Sequence, residues 1–237
     1  MAPLVLSLFP GIGLLDLAFE MEFPEACIVR GPDLIFNSLS DIRRFHPPPG
    51  KFDGVIGGPP CQAFSVMQRA IPQRPAENLI PEFERCVDEA RPAWFVMENV
   101  TGAPLPAIEG YRTLSLRLNN RWLGEEQNRL RRFSFGGLDL RPYLQLGALD
   151  SPIWEYAVVG GHGGLDHGLH KFGQGTQVVS KMLRLQGLPE DFFAESPFTV
   201  HAQRKLIGNG VPLAMGRAVA RAMMRALAEG AIEKSRP

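Results

Sequence analysis

One cysteine stands in a part of the sequence that is stiff enough to hold a reactive side chain in place. Cys61 follows two glycines and two prolines in residues 57–65, directly after the apolar run 54–56. Proline fixes its own φ angle and biases the preceding residue toward extended backbone, so the apolar run is predicted to be a strand that ends at this loop. A thiolate placed there can act as a nucleophile. A small buried cysteine is the alternative, and this segment alone leaves both open.

An acidic residue follows another predicted strand. Glu98 and Asn99 come directly after the apolar run 93–97. The carboxyl ends of parallel strands meet at one edge of a sheet, where ligands and catalytic groups collect. We therefore expect Glu98 to lie at the same edge of the sheet as Cys61.

Arginines are concentrated in one part of a chain whose formal net charge is zero. Residues 112–145 contain seven arginines against three acidic residues, Glu125, Glu126 and Asp139, a local excess of four positive charges. The planar guanidinium group suits phosphates and base edges. A solvated basic surface is the alternative, so this cluster by itself does not establish a nucleic-acid partner.

The elements that position these residues alternate between strand and helix. Strands are predicted at 4–9, 25–29, 53–58 and 93–97, and helices at 14–21, 78–90, 177–186 and 212–230. This order is typical of an α/β fold with a mostly parallel sheet and helices on both faces. Two segments with alternating apolar residues, 113–119 and 131–135, are predicted to pair as a hairpin.

A glycine turn, residues 10–13, joins the first strand to the first helix. Such a turn lets a ligand approach the backbone at a helix N-terminus, as in nucleotide-binding folds. Leu14 replaces the third glycine of the dinucleotide-binding pattern, so the turn alone does not identify its ligand. A dinucleotide-dependent oxidoreductase would explain this turn and nothing after residue 58.

The composition is that of a globular protein. The 237 residues are 45% hydrophobic and 21% charged, and no apolar run approaches the roughly 18 residues of a membrane span. No signal peptide is evident, so we expect a cytoplasmic protein without membrane contact. We also expect a monomer. The cysteines, Cys27, Cys61 and Cys86, are too few and too widely spaced for a disulfide framework or a metal site.

Taken in order, the motifs resemble those of the C5-cytosine-specific DNA methyltransferase family. The matching segments are 9–13 (cofactor-binding glycine motif), 60–62 (nucleophile motif), 98–100 (acidic motif), 127–131 (glutamine and two-arginine motif) and 208–212 (C-terminal motif). Residues 184–189 resemble the segment that precedes the last of these. Five short patterns in one order are far more specific than any one of them. The resemblance implies a Rossmann-like S-adenosylmethionine-dependent methyltransferase fold with a small recognition subdomain.

The resemblance also implies the chemistry. C5 of cytosine is a poor nucleophile, and addition of the Cys61 thiolate to C6 converts the ring into an enamine that takes a methyl group from S-adenosylmethionine, leaving S-adenosylhomocysteine. Glu98 would hydrogen-bond N3 and the exocyclic amine. One of Arg129 and Arg131, with Arg131 favoured, would hold O2. In double-stranded DNA, the implied partner, the base must first leave the stack.

The implied binding residues form two groups. Those around the methyl donor are Phe9, Gly11, Ile12, Gly13, Asp41, Ile42, Pro60, Asn209 and Val211, and those that contact nucleic acid are Gln62, Ser65, Asn99, Gln127 and Arg132. Asp41 is implied to face the adenine amine. It could instead cap a helix or a loop.

The chain departs from the family pattern at three places. Arg30 stands where the family has the acid that binds ribose hydroxyls, with Asp33 the nearest acid. Residues 101–110 are short and interrupted by prolines where the family has a helix. The interval between Arg131 and Arg184, which should hold the target-recognition region, is short. We therefore predict a catalytic domain at 1–136 and 200–237, a recognition subdomain at 137–199, and a short or degenerate target site.

Two related functions remain open. An RNA cytosine-5 methyltransferase acting on transfer RNA would use the same motifs. A non-catalytic nucleic-acid-binding relic of the family is disfavoured, because Cys61, Glu98 and Arg131 are all present.

Overall fold

Six strands form the central sheet of the protein. A computed structural model describes residues 2–34, 40–64, 77–137, 155–160 and 176–234. The strands are β1 (Leu4–Leu8), β2 (Cys27–Arg30), β3 (Gly54–Gly57), β4 (Trp94–Asn99), β5 (Arg112–Asn119) and β7 (Leu130–Gly137), while β6 (Gln127–Asn128) and β8 (Glu155–Tyr156) pair separately. The sheet order is β2-β1-β3-β4-β7-β5. Strands β1 to β4 are parallel, and β7 runs antiparallel to both β4 and β5.

Helices cover both faces of this sheet. They are α1 (Leu14–Glu22), α2 (Ile80–Ala90), α3 (Thr176–Gln186), α4 (Val200–Asn209) and α5 (Leu213–Lys234), with short 3₁₀ helices at Ile42–Arg44, Gln62–Phe64 and Asn120–Leu123. Side chains of α1 and α5 pack on one face, and those of α2 pack on the other. The predicted α/β fold with a mostly parallel sheet is confirmed. None of the helices in the described ranges is long and apolar enough to span a bilayer.

The central strands are mostly apolar because both of their faces are buried. In β1, Val5 packs with α1 and α5, whereas Leu6 and Leu8 pack with α2. In β4, Val96 and Phe95 divide between the two faces in the same way. Successive side chains of a strand point to opposite faces, so a strand covered on both sides is apolar except at positions such as Glu98 and Asn99, which lie at the end of β4.

The predicted hairpin is present, and its position in the sheet matters for the site. Strand β7 lies between β5 and β4, and its register sets Phe133 opposite Glu98 and Arg132 opposite Asn99. Arg131 therefore lies just beyond the carboxyl end of β4.

The segment after β4 contains no helix, as its prolines predict. Residues 101–111 are irregular, yet Ala103 and Ile108 are buried in the apolar cluster of α2. The Tyr111 hydroxyl donates to the carbonyl of Pro92 at 2.6 Å. An irregular segment thus covers this part of the sheet.

Helix α4 was not predicted. Gly208 and Asn209, interpreted from the sequence as part of a loop, form the last turn of this helix. Thr199 caps its start, since the Thr199 hydroxyl accepts a hydrogen bond from the Ala202 amide at 3.3 Å. Glycine and asparagine near a helix C-terminus are indistinguishable by type from loop residues.

The division into two domains stays a prediction. In the part of 137–199 that the structure describes, Val158, Met182 and Phe193 share one apolar cluster with Leu14 of α1 and Ile207 of α4. This interval therefore packs directly against the elements assigned to the catalytic domain.

Close packing between β7 and β4 predicts a sensitive position at Gly136. A Cβ atom there would lie 1.9 Å from Cε1 of Phe95, which is fully buried and cannot move away. We expect Gly136→Ala to lower the free energy of unfolding by about 1–3 kcal/mol in urea titration. Gly102→Ala is the matched control, because Gly102 is exposed and its nearest neighbour would lie at 3.5 Å. The packing argument fails if both variants are as stable as the wild type.

Candidate active site

A cavity of about 260 Å³ lies at the carboxyl ends of β1, β3 and β4. Of the residues predicted to take part in chemistry or binding, those that line it are Phe9, Gly11, Ile12, Ile42, Pro60, Cys61, Gln62, Glu98, Arg129, Arg131, Asn209 and Val211. Gly13 and Asp41 do not line it, and Ser65 lies outside the described residues. The cavity therefore joins the cysteine loop to the glycine turn.

Cys61 ends the short loop 58–61 between β3 and the 3₁₀ helix Gln62–Phe64, and it is half-buried. Burial raises the pKa of its thiol, and the neighbouring Glu98 carboxylate raises it further. Arg131 and Arg129 act in the opposite direction, since their positive charges stabilise a thiolate. The reactivity of this thiol is thus controlled by the charge state of three neighbours.

Glu98 and Arg131 form an ion pair beside that thiol. The distance from Arg131 Nε to Glu98 Oε1 is 3.1 Å, and both side chains are largely buried. A Cβ atom added to Gly58 would lie 3.3 Å from Glu98 Oε2, so the carboxyl group sits against the backbone of the cysteine loop. Burial raises the pKa of Glu98, which favours its protonated form.

Arg129 forms hydrogen bonds with a different set of groups from the Glu98–Arg131 pair. Its side chain is buried, Nη1 donates to the carbonyl of Val158, and Nη2 donates to those of Gly208 and Gly210 at 3.1 and 3.0 Å. Burial lowers the pKa of Arg129 to about 9. The two arginines of the motif, of which Arg131 is the one favoured for contact with O2, therefore have different partners.

Asn99 is buried and hydrogen-bonded within the protein, and its contact with nucleic acid stays a prediction. The residue is 1% exposed, its Nδ2 donates to the carbonyl of Pro59 at 3.1 Å, and its Oδ1 accepts from the Val100 amide at 2.8 Å. Asn99 ties the cysteine loop to the end of β4.

Gln127 and Arg132, which are predicted to contact nucleic acid, also form hydrogen bonds within the protein. Gln127 is fully buried, and its Nε2 donates to the carbonyl of Leu185 at 2.7 Å. Arg132 donates to the carbonyls of Ala103, at 2.6 Å, and Thr101. Gln127 thus satisfies a carbonyl at the end of α3, and Arg132 satisfies carbonyls of the irregular segment after β4. Gln62, by contrast, is exposed at the cavity.

Asp41 caps a 3₁₀ helix, which was the alternative interpretation of this residue. Its Oδ1 accepts from the Arg43 amide at 3.0 Å, and Oδ2 pairs with Arg43 Nη2 at 2.6 Å. The hydrogen bonds from Arg43 lower the pKa of Asp41 to about 2. The predicted contact between Asp41 and adenine is therefore not supported, whereas its neighbours Ser40 and Ile42 do line the cavity.

Asp33, which the sequence analysis did not assign to the binding site, contacts the glycine turn. The Gly11 amide donates to Asp33 Oδ2 at 2.7 Å, and Asp33 lines the cavity. Arg30, at the position of the missing family acid, pairs instead with buried Asp16 at 2.9 Å. The available signal was position, since Asp33 follows the end of β2 by three residues.

The backbone of the turn is shaped for close approach of a ligand. Gly11 and Gly13 have φ angles of 54° and 75°, a region that favours glycine, and Gly13 precedes α1 without a side-chain cap on the helix. The first amides of α1 therefore lack a capping side chain and lie beside the cavity.

Other cavity residues were missed. They include Leu14, Leu15, Asp16, Pro32, Leu34, Leu79, Lys205 and Leu206. Most belong to helices whose apolar periodicity indicates only burial, and Lys205 and Leu206 lie on the helix that was not predicted.

Comparison with known proteins gives similar sequences and a similar fold. Residues 4–107 match the sequence model named C-5 cytosine-specific DNA methylase. The chain is 32% identical over 120 residues to the Type II methyltransferase M.AquIA of Picosynechococcus and 36% identical over 109 residues to M.DdeI of Desulfomicrobium norvegicum. These alignments cover 41% and 39% of this chain, and 48% and 26% of the relatives. The chain thus spans about half or less of their length.

Solved structures match over nearly the whole chain. The S. pombe Dnmt2 methyltransferase superposes with a TM-score of 0.67 at 15% identity, covering 96% of this chain and 98% of that one. The Entamoeba histolytica methyltransferase EhMeth gives 0.63 at 11% identity, with 96% and 99% covered. At these identities the likeness concerns the fold.

The charges around Cys61 predict opposite effects on its pKa. Removing the negative charge in Glu98→Gln lowers the pKa of the thiol, whereas removing the positive charge in Arg131→Met raises it. We expect the pH midpoint of Cys61 alkylation to shift accordingly, measured in a Cys27→Ser background because Cys27 is exposed and Cys86 is buried. Exposed Glu190 provides the control, and Glu190→Gln should leave the midpoint unchanged. Shifts of the opposite sign would contradict this electrostatic account.

Proposed function

We propose that this chain is a member of the C-5 cytosine-specific DNA methylase family, whose model matches residues 4–107, and that it transfers a methyl group from S-adenosylmethionine to C5 of cytosine in double-stranded DNA. The observation that carries the proposal is a single cavity lined by Cys61, Glu98 and the glycine turn. A nucleophile, an acid and a ligand-binding turn in one cavity are the parts that this reaction needs.

Cys61 and Glu98 perform complementary steps in the proposed reaction. The Cys61 thiolate adds to C6 of a cytosine that has left the stack, which makes C5 nucleophilic. Transfer of the methyl group to C5 leaves S-adenosylhomocysteine, a water molecule then accepts the C5 proton, and departure of Cys61 as a thiolate restores the aromatic ring. A protonated Glu98 carboxyl donates to N3, and its second oxygen accepts from the exocyclic amine. The raised pKa of Glu98 supports this assignment.

Arg131 is the arginine proposed to act on the base. Its guanidinium lies beside Glu98 and lines the cavity, so it can donate to O2 and stabilise the negative charge that develops on the attacked ring. Its positive charge also favours the thiolate form of Cys61.

The cavity fits S-adenosylmethionine in its chemistry. When bound, this cofactor supplies the methyl group on a positively charged sulfur. Asp33 offers a carboxylate to the ribose hydroxyls, and the amides at the start of α1 can bind the amino-acid carboxylate. Ile12 and Ile42 provide apolar contact surface.

Transfer RNA is the second candidate substrate. Cytosine in RNA presents the same C5, C6 and N3 atoms to Cys61 and Glu98. The interval available for target recognition is short, which favours a substrate whose target base already lies outside a regular duplex.

Labelled methyl donor and two nucleic acids test the reaction and its substrate. We expect the wild type to label DNA, with the product identified as 5-methylcytosine, and to label transfer RNA less. Cys61→Ala should lower the rate by about 10³-fold or more, because the covalent step is lost. Cys27→Ala is the control, since Cys27 is exposed and does not line the cavity.

Trapping gives an independent readout of the same step. DNA that carries fluorine at C5 of the target cytosine lacks the proton that must leave, so the covalent complex with Cys61 should persist on a denaturing gel. Label in RNA alone would move the proposal to the second substrate. Undiminished transfer by Cys61→Ala would refute the mechanism.

Removing the charge of Asp33 is expected to weaken binding of the cofactor product. In Asp33→Asn the amide oxygen can still accept from the Gly11 amide, so the turn is preserved while the charge is lost. We expect binding of S-adenosylhomocysteine, measured by calorimetry, to weaken by about tenfold, as for loss of a charge-assisted hydrogen bond. Asp88→Asn, at a half-buried site on α2 that does not line the cavity, should bind like the wild type. Equal affinity in all three proteins would exclude Asp33 from the cofactor site.

A further inference from the structure

Three buried polar side chains meet at the cavity wall, and one of them, Arg129, also lines the cavity. Gln127, Arg129 and Gln186 are at most 2% exposed and come from β6, from the link to β7 and from the end of α3. Burying polar groups is costly unless they are hydrogen-bonded. Their partners therefore indicate what the cluster is built to hold.

One set of partners is the turn between α4 and α5. Arg129 Nη2 donates to the carbonyls of Gly208 and Gly210, and Gln186 Nε2 donates to the carbonyls of Ile207 at 2.7 Å and Gly210 at 3.3 Å. The last carbonyls of a helix have no partner within the helix. The two side chains supply those partners, and the same turn, residues 208–211, lines the cavity.

The other partner is the segment after β8. Val158 donates its amide to Gln127 Oε1 at 3.1 Å, and its carbonyl accepts from Arg129 Nη1. A Cβ atom on Gly208 would lie 2.1 Å from the Gly160 amide nitrogen, so the two backbones are in direct contact. Arg129 thus bridges the cavity wall and the segment 157–160.

We propose that Arg129 is a positioning residue, which holds the wall of the methyl-donor site against the segment 157–160 and does not act on the cytosine. The inference rests on the proposed function and assigns the second arginine of that site. Both terminal nitrogens of Arg129 donate to main-chain carbonyls, whereas Arg131 pairs with the catalytic acid. Without Arg129, the carbonyls of Val158 and Gly208 lose a buried donor, and the wall loses its anchor.

The inference predicts different defects for the two arginines. In Arg129→Met, binding of S-adenosylhomocysteine should weaken by about tenfold or more, with a matching rise in KM for the methyl donor, because several buried hydrogen bonds are lost. At saturating donor, trapping on 5-fluorocytosine DNA should persist. In Arg131→Met, affinity for S-adenosylhomocysteine should stay within about twofold while kcat falls.

Two further variants, Arg129→Lys and Gln186→Leu, distinguish loss of the hydrogen bonds from loss of packing or of folding. Arg129→Lys retains a charged donor and should recover part of the donor affinity, which a merely apolar packing role would not produce. Gln186→Leu removes donors to the same turn without altering charge at the site. If Arg129→Met does not fold, Gln186→Leu must show the weakened binding alone.

The outcomes separate the two proposals. A wild type that binds no S-adenosylhomocysteine would overturn the proposed function itself. A wild type that binds it, together with unchanged binding and a lost kcat in Arg129→Met, would overturn the positioning role and place Arg129 on the base. Unchanged donor binding in Gln186→Leu would likewise overturn the anchoring of the wall.

Discussion

The ion pair between Glu98 and Arg131 is the interaction on which the site depends. It sits at the carboxyl end of β4, largely removed from water, with the Cys61 loop against it. Buried ion pairs contribute little net stability, because desolvation offsets their attraction. Their value here is geometric and electrostatic. The pair fixes the acid beside the thiol and balances the charges that govern thiolate formation.

This pair exists because of the order of the strands. Strand β7 enters the sheet antiparallel, between β4 and β5, and brings Arg131 to the end of β4. Asn99, the residue after the acid, then ties the cysteine loop to the same strand end. Backbone pairing and one buried amide thus assemble a centre from three distant parts of the sequence.

The cavity wall shows how a compact chain uses polar residues in its interior. Gln127, Arg129 and Gln186 all satisfy carbonyls at the C-terminal ends of helices α3 and α4. Such a network is costly if any member is lost, and it specifies one arrangement when complete. Side chains that a motif suggests for nucleic-acid contact therefore serve to hold the pocket in shape.

Apolar periodicity, together with the positions of proline and glycine, was enough to predict most of the order of strands and helices, the hairpin and the cysteine loop. The sequence also indicated that Glu98 would share an edge with Cys61, since parallel strands end together. It favoured Arg131 over Arg129 for contact with the base, but it could not supply the internal hydrogen-bond partners of Arg129, Asn99 and Gln127. It likewise missed α4 and ranked Asp41 above Asp33. Those distinctions depend on which distant backbone group each side chain meets, and only the tertiary structure decides that.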